Sequence, residues 1–493
     1  MDRDVLARAW AAGAVGAAVV ATAAAGLAVS RPGPSALSAA PSVSSGPATS
    51  AAADVIVNPG TVQLGREPRP GPGPGPSDTQ QCQRVLRVNC YDPVQIQQAY
   101  QLPSLYAHGI TGRGATIVIV DPYGSPTISS DLRTFDRTEG IPDPPSLRIL
   151  RPAGQVPAFS AGHQGMAAWA SETTLDVEYA HTVAPGAALV LAETPGGARA
   201  GGVSMTQVVT AEKYVIAHHI GDVISQSFIA AEQGIGAAGT GALRGAYTAA
   251  YAHHVTVLSG SGDTGAAGIQ PGGTGYYPYP VTGWPASDPL VTAVGGTRLN
   301  LDAAGHRVSP DAVWNDTYSS TANQLVNRDP GPNPLAGGGG RSSVFARPAY
   351  QNTVRAVVGN HRGLPDISMS AACTGAVSIY QSFPGQRAGW YALCGTSEAT
   401  PLFAGIVALA DQVAGHSLGL INPALYQLAA SRAAGIVGVT AGNNTVSFRR
   451  GGRTVTVRGF SARSGYSLAA GLGTVNGASF VPELARLAGP VGR

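Results

Sequence analysis

Five short runs of aliphatic and β-branched residues set the strongest limit on what this chain can fold into. They are Thr116-Ile117-Val118-Ile119-Val120, Ala188-Leu189-Val190-Leu191, Asp222-Val223-Ile224-Ser225, Val255-Thr256-Val257-Leu258 and Leu290-Val291-Thr292-Ala293-Val294. Their apolar residues are near-continuous rather than alternating. A strand apolar on both faces has to be covered on both faces, which is the condition of a parallel sheet. Helical patterns separate the runs, so the expectation is an α/β fold: a mostly parallel sheet flanked by helices on both faces. In such sheets reactive groups gather at the carboxyl ends of the strands.

The chain ahead of these runs has a different character. Arg3 and Arg8 precede an uncharged stretch, Ala9 to Ser30, built mainly of alanine, glycine and valine. That length fits a secretory signal peptide or a bilayer-spanning anchor, so 1–30 is assigned to one of these and membrane attachment through it is open. Either reading exports the rest. Residues 31–81 are rich in Pro, Gly, Ser and Ala and end in three Gly-Pro repeats; they are expected to form a disordered linker. Residues 82–493 are expected to form one folded domain, monomeric in action. A hydrophobic content of 44% with net charge +3 excludes disorder for the chain as a whole. Lys213 is the single lysine and the arginines form no block, so no nucleic-acid partner is expected. Four cysteines allow three pairings; proximity favours Cys82–Cys90 and Cys373–Cys394 in an oxidising compartment.

Three segments carry chemistry. Glu172 and Asp176 are four apart, hence neighbours on one helix face, beside Trp169, Tyr179 and Ala180. Two carboxylates on an apolar stripe repel and lose hydration, so one holds its proton to unusually high pH. The second segment is Val255 to Gly265, a buried strand ending in a glycine-rich turn that presents Asp263; a turn aspartate bonding its own backbone is the plainer reading. The third is Cys394-Gly395-Thr396-Ser397-Glu398-Ala399-Thr400-Pro401, where Ser397 opens an apolar helix with Pro in its first turn. Taken alone, Ser397 reads equally as a helix N-cap.

Together, Glu172-x-x-x-Asp176, Ser-Gly-Asp263-x-Gly and Gly-Thr-Ser397 resemble the sedolisins, the serine-carboxyl peptidases. The likeness runs from Tyr91 to about Gly477. It takes in Ile117-Val-Ile-Val-Asp121, Trp284-Pro-Ala-Ser-Asp288-Pro, Val294-Gly-Gly-Thr297, Gly337-Gly-Gly-Gly340-Arg-Ser-Ser and Pro365-Asp366-Ile-Ser368. The nucleophile segment also resembles that of subtilases, but His163-Gln164-Gly165 lacks their histidine motif. The resemblance implies a subtilisin-like sheet and a peptidase acting on peptide or protein substrates at acidic pH, either as endopeptidase or as tripeptidyl-peptidase. It makes Ser397 the nucleophile, Glu172 the general base, Asp176 the group that orients Glu172, and Asp263 the oxyanion donor. A carboxylate cannot donate, so Asp263 must be protonated for that role.

The sequence departs from this family in two places. Members resemble one another in a C-terminal calcium site with two side-chain carboxylates, and Gly438 and Ser467 stand where those are expected. Calcium affinity follows ligand charge, so no calcium, or weak binding, is expected, and no other cofactor. A long folded propeptide is also missing from 31–81, which suggests control by pH. These gaps motivate a rival reading, a catalytically silent surface-binding module. Gly234-Ile-Gly236-Ala-Ala-Gly239 has the dinucleotide-binding spacing but does not directly follow its strand, so it is read as incidental. His218-His219 and His253-His254 read as helix-end residues, and Gly337–Gly340 as a cleft wall or a loop tip.

Overall fold

The structure, a computed structural model, describes residues 62–67, 75–196 and 204–488. The assignment of 1–30, and most of the linker assigned to 31–81, lie outside these residues. The chain is described from strand β1 (Val62–Arg66) and reaches β2 (Asn89–Tyr91) through a short helix started by a capping box between Asp78 and Gln81. The expected linker is therefore interrupted by a strand. Leu64 is buried there, while the Gln63 amide oxygen accepts hydrogen bonds from Ser171 and Gln381. Such anchoring outweighs the glycine and proline around it.

The large sheet is laid down next. β3 (Thr116–Pro122) and β4 (Leu147–Leu150) come first, followed by helix α1 (Gln164–Val183) and β5 (Ala188–Thr194). Helix α2 (Met205–Ala217) leads to β6 (Val223–Gln226), and α3 (Gly245–Ala252) to β7 (Thr256–Gly260). β8 (Thr292–Arg298), β9 (Ala312–Val313) and β10 (Ile367–Ser370) complete it. The strand order is β9-β8-β7-β6-β3-β5-β4, with β10 also on β8, and every pairing is parallel except β8 with β9. All five apolar runs are strands of this sheet, as expected.

Alternation along β3 shows why both faces are apolar. Ile117 and Ile119 join one core cluster with Leu175 of α1 and Leu402 of helix α4 (Thr396–Ala414). Val118 and Val120 point the other way, to Val208 of α2 and Tyr247 of α3. The two helices on the first face pack so closely that a Cβ at Gly405 of α4 would lie 2.5 Å from the Val183 Cβ of α1.

A smaller sheet abuts the first, in the order β1-β12-β11-β2, where β11 is Gly375–Gln381 and β12 is Gly389–Cys394. The disulfides Cys82–Cys90 and Cys373–Cys394 form as expected, the first tying the helix Thr79–Val85 to β2 and the second tying the chain just before β11 to the end of β12. The Gly234–Gly239 run lies within Glu232–Leu243, where two helical segments meet at Gly236 with a non-helical φ of 70°. Among the described residues no helix is long and apolar enough to cross a membrane.

Candidate active site

Ser397 sits where β12 turns into α4. Gly395 makes the turn at φ 131°, a left-handed-side conformation that favours glycine, and is itself the N-cap. Ser397 is thus the second helical residue rather than a capping serine. Its hydroxyl is buried and hydrogen-bonds to none of the described residues. Pro401 is the sixth residue of α4, beyond the first turn expected for it. Its ring nitrogen has no hydrogen for the Ser397 carbonyl, which loses the usual i→i−4 donor.

Asp263 follows the carboxyl end of β7 and is tied to the residue before the serine. The Thr396 backbone N–H donates to its Oδ1 at 2.8 Å and the Thr396 hydroxyl at 2.7 Å, while Gly262 N–H donates to that hydroxyl at 3.1 Å. These bonds span 133 residues, so Asp263 is no self-capping turn aspartate. Its other oxygen, Oδ2, is buried and unbonded among the described residues. Burial pushes the carboxyl up to about 7, with the two Thr396 bonds pulling against the rise. The Gly337–Gly340 run is buried behind this turn rather than projecting as a loop tip. Gly338 N–H donates to the Gly262 carbonyl at 2.6 Å, and a Cβ there would come within 2.0 Å of the Ser261 oxygen.

Glu172 and Asp176 are fully buried on α1. Asp176 Oδ1 accepts from the Ser227 hydroxyl at 2.9 Å, just past the carboxyl end of β6. Burial, then the charges of Asp121 and Glu172, hold the Asp176 carboxyl well above the ordinary carboxylate range. Both helices run from the carboxyl ends of the sheet toward its amino ends. Beyond the far end of α4, the Gly419 carbonyl accepts from the Thr256 hydroxyl and Ser417 donates to Asp222, and beyond the far end of α1, Ala188 N–H donates to Ala115. Counting back from the Gly405–Val183 contact at 1.5 Å per residue, Ser397 lies about 12 Å up α4, with Asp176 and Glu172 about 10 and 16 Å up α1. The nucleophile candidate and the carboxyl pair are therefore level. No hydrogen bond joins Ser397 to Glu172, and no histidine bonds to Ser397. His163 instead caps α1 by accepting from Met166 N–H at 3.1 Å.

Sequence reading missed three members of this neighbourhood. Asp121 ends β3, fully buried; burial and the Glu193 charge raise its carboxyl, against the pull of the Thr173 hydroxyl. A carboxylate closing a buried parallel strand was the available signal. Ser227 ends β6 in the same way. Glu398, beside the nucleophile candidate, is also fully buried, and burial raises its carboxyl well above the ordinary range.

The residues at the family's calcium positions offer little to a cation. A Cβ added at Gly438 would meet nothing within 4 Å, and the Ser467 hydroxyl already accepts from Ala470 N–H at 3.1 Å. Among the described residues the one close acid–cysteine–histidine group is Glu67 with Cys82 and Cys90, whose sulfurs are spent on a disulfide. Gly438 brings no side-chain oxygen to this place, and Ser467 brings one uncharged hydroxyl.

No family model matches the chain. It is 28% identical over 403 residues to kumamolisin from Bacillus sp. (strain MN-32), covering 80% of this chain and 63% of that protein. It is 28% identical over 352 residues to sedolisin from Pseudomonas sp. (strain 101), covering 70% and 55%. The chain thus spans 55% to 63% of the length of these curated relatives. Over a shorter stretch of 228 residues it is 32% identical to tripeptidyl-peptidase sed5 of Aspergillus fumigatus, covering 43% and 35%. A solved structure of Pseudomonas sedolisin, a serine-carboxyl proteinase complexed with two molecules of pseudo-iodotyrostatin, superposes with TM-score 0.66 at 25% identity, covering 81% of this chain and 99% of that one. Fold, motifs and these likenesses all support a relation to the sedolisin family.

Proposed function

We propose that this protein is a serine-carboxyl peptidase that hydrolyses peptide bonds at acidic pH. Ser397 Oγ attacks the scissile carbonyl carbon as Glu172 takes the hydroxyl proton. Asp176 shares and orients that proton from one turn along α1, with Ser227 and Asp121 fixing its own environment. Protonated Asp263 donates from Oδ2 to the oxyanion. Glu172 then returns the proton to the leaving amine, and water releases the acyl-enzyme by the same route. The observation that most supports the reading is the Thr396 clasp on Asp263, which fixes one oxygen and leaves the other buried, neutral below about pH 7 and unused.

The proposal includes a pH threshold on activity, since Asp263 loses its donor as pH rises through about 7. It also includes independence from calcium at Gly438 and Ser467, so a chelator is expected to leave the melting temperature unchanged. The two disulfides fit an oxidising compartment and support export, and the enzyme is proposed to act as a monomer. A fluorophosphonate probe at pH 4 provides the test. Labelling that disappears in Ser397→Ala is expected, together with cleavage of a peptide library. An unlabelled, folded wild-type protein would favour the silent binding module.

A further inference from the structure

A groove of about 1210 Å³, whose lining includes none of the proposed catalytic residues, is joined to a recess of about 300 Å³ by shared walls at Arg298, Ala312 and Thr374. One wall is the loop after β9, and the other is the root of a hairpin, β13 (Val446–Arg450) and β14 (Arg453–Val457). The hairpin is firmly seated. Val446, Phe448 and Val457 pack on Ala266, Ala267 and Ala336, and the Phe448 ring lies 5.0 Å from that of Tyr276.

What the hairpin displays is unbalanced charge. Arg449, Arg450 and Arg453 are exposed at its tip, and Arg298 and Arg458 are exposed in the groove. None of the five forms an ion pair with a described residue. Arg450 is paired directly opposite Arg453, an arrangement that destabilises a two-stranded ribbon unless a counter-charge is present. The one carboxylate lining the groove, Asp316, is buried and engaged by the Trp314 ring N–H at 2.9 Å and the Thr374 hydroxyl at 2.9 Å. It leaves the field positive.

The groove also holds a fixed aromatic surface. Tyr318 is 68% exposed, yet its hydroxyl is pinned to Ser447 at 2.6 Å, which turns the ring face outward at little entropic cost. Around it the lining is hydroxyl and amide: Thr374, Asn443, Thr445, Thr456 and Ser461. The Asn315 amide holds this wall by donating to the carbonyls of Asn443 and Thr445 at 2.9 and 2.8 Å.

We propose that the groove and its arginine hairpin bind an acidic, uronate-bearing polysaccharide. Guanidinium groups pair with carboxylates in a planar fork, hydroxyls and amides match sugar hydroxyls, and one open ring suits the apolar face of a pyranose. Single-stranded nucleic acid is a poorer match, because successive bases need successive aromatic platforms and Tyr318 is the sole aromatic lining residue. Binding there would hold the protein on an anionic polymer through residues other than those proposed for catalysis.

The test is affinity electrophoresis of Ser397→Ala protein through gels containing polygalacturonate, dextran or single-stranded DNA, at low and high salt. Because that variant carries no nucleophile, the outcome is independent of the peptidase reading. Retardation by polygalacturonate alone, lost at high salt, is expected. Arg449→Ala/Arg450→Ala/Arg453→Ala and Arg298→Ala/Arg458→Ala should each weaken it by about tenfold, and Tyr318→Ala by a few-fold. Peptide hydrolysis should be unchanged when these surface changes are made with Ser397 intact. Equal mobility in polygalacturonate and dextran, retardation by DNA but not polygalacturonate, or arginine variants that bind like the parent would each overturn the proposal.

Discussion

Helix α1 carries buried acids toward both of its ends, and the two groups make an instructive pair. Glu172 and Asp176 face the carboxyl edge of the sheet with Asp121 and Ser227. Toward the other end, Glu178 accepts from Tyr380 N–H at 3.0 Å, and His181 lies 3.4 Å from Asp136 and 2.9 Å from the Pro142 carbonyl. Burial raises Glu178 well above the ordinary range and Asp136 to about 8, and it lowers His181 to about 4. Burial thus pushes both Asp136 and His181 toward their uncharged forms. Nearby Glu139 and Glu67 are likewise pushed up by burial, to about 8 and about 7. Raised carboxyls are thus found at the inert end as well as at the proposed catalytic end. What separates them is the company kept: strand termini and a nucleophile on one side, main-chain amides on the other.

The largest expected effect that sharpens this contrast is Ser397→Ala, which should cut kcat/KM on a peptide substrate by at least about 10⁴-fold at pH 4. A retained acyl-enzyme burst would break it. Glu172→Gln or Asp176→Asn should each cost about 10²–10⁴-fold, while Glu178→Gln should stay within about twofold, measured by steady-state kinetics on folded protein. Equal losses at the two ends would erase the distinction. Asp263→Ala should cost about 10²–10³-fold, but Asp263→Asn, a donor at every pH, should move the alkaline limb of the pH–rate profile above its wild-type position near 7.

The smallest effect concerns stability. Asp136, Glu139, Glu178 and Glu67 hold protons more tightly when folded than when unfolded. The contributions of Asp136, Glu139 and Glu67 are complete below about pH 4 and are lost as pH rises through about 7 to 8, and that of Glu178 has the same sign. His181 has the opposite sign, its contribution fading as pH falls from about 6.5 to 4. Thermal melting should therefore weaken from pH 5 to pH 9, and Glu178→Gln should recover about 2–4 °C at pH 9 without altering turnover at pH 4.

Much of this was legible before any coordinates. The five apolar runs marked their strands because a doubly covered strand leaves an uninterrupted pattern. Glu172 and Asp176 stood out because helical spacing placed them on an apolar stripe. β1 was hidden, since its five residues sit among prolines and glycines and owe their conformation to a distant edge, β12. Asp121 and Ser227 were hidden for another reason: one charge or hydroxyl at a strand end has no periodicity, and only the parallel alignment of β3 with β6 brings them together. The hairpin at Val446–Val457 was missed because Arg449-Arg450-Gly451-Gly452-Arg453 is too short a run to stand out as a basic block.

Thr396 gives the architecture one more consequence. A single residue clasps Asp263 and is peptide-bonded to Ser397, so the two chemical partners share a jig instead of meeting across independently moving loops. Substitutions in the surrounding walls can then reshape which peptides enter without knocking the acid and the alcohol out of alignment. Loss of the Thr396 hydroxyl would loosen that alignment while leaving both Asp263 and Ser397 in the chain.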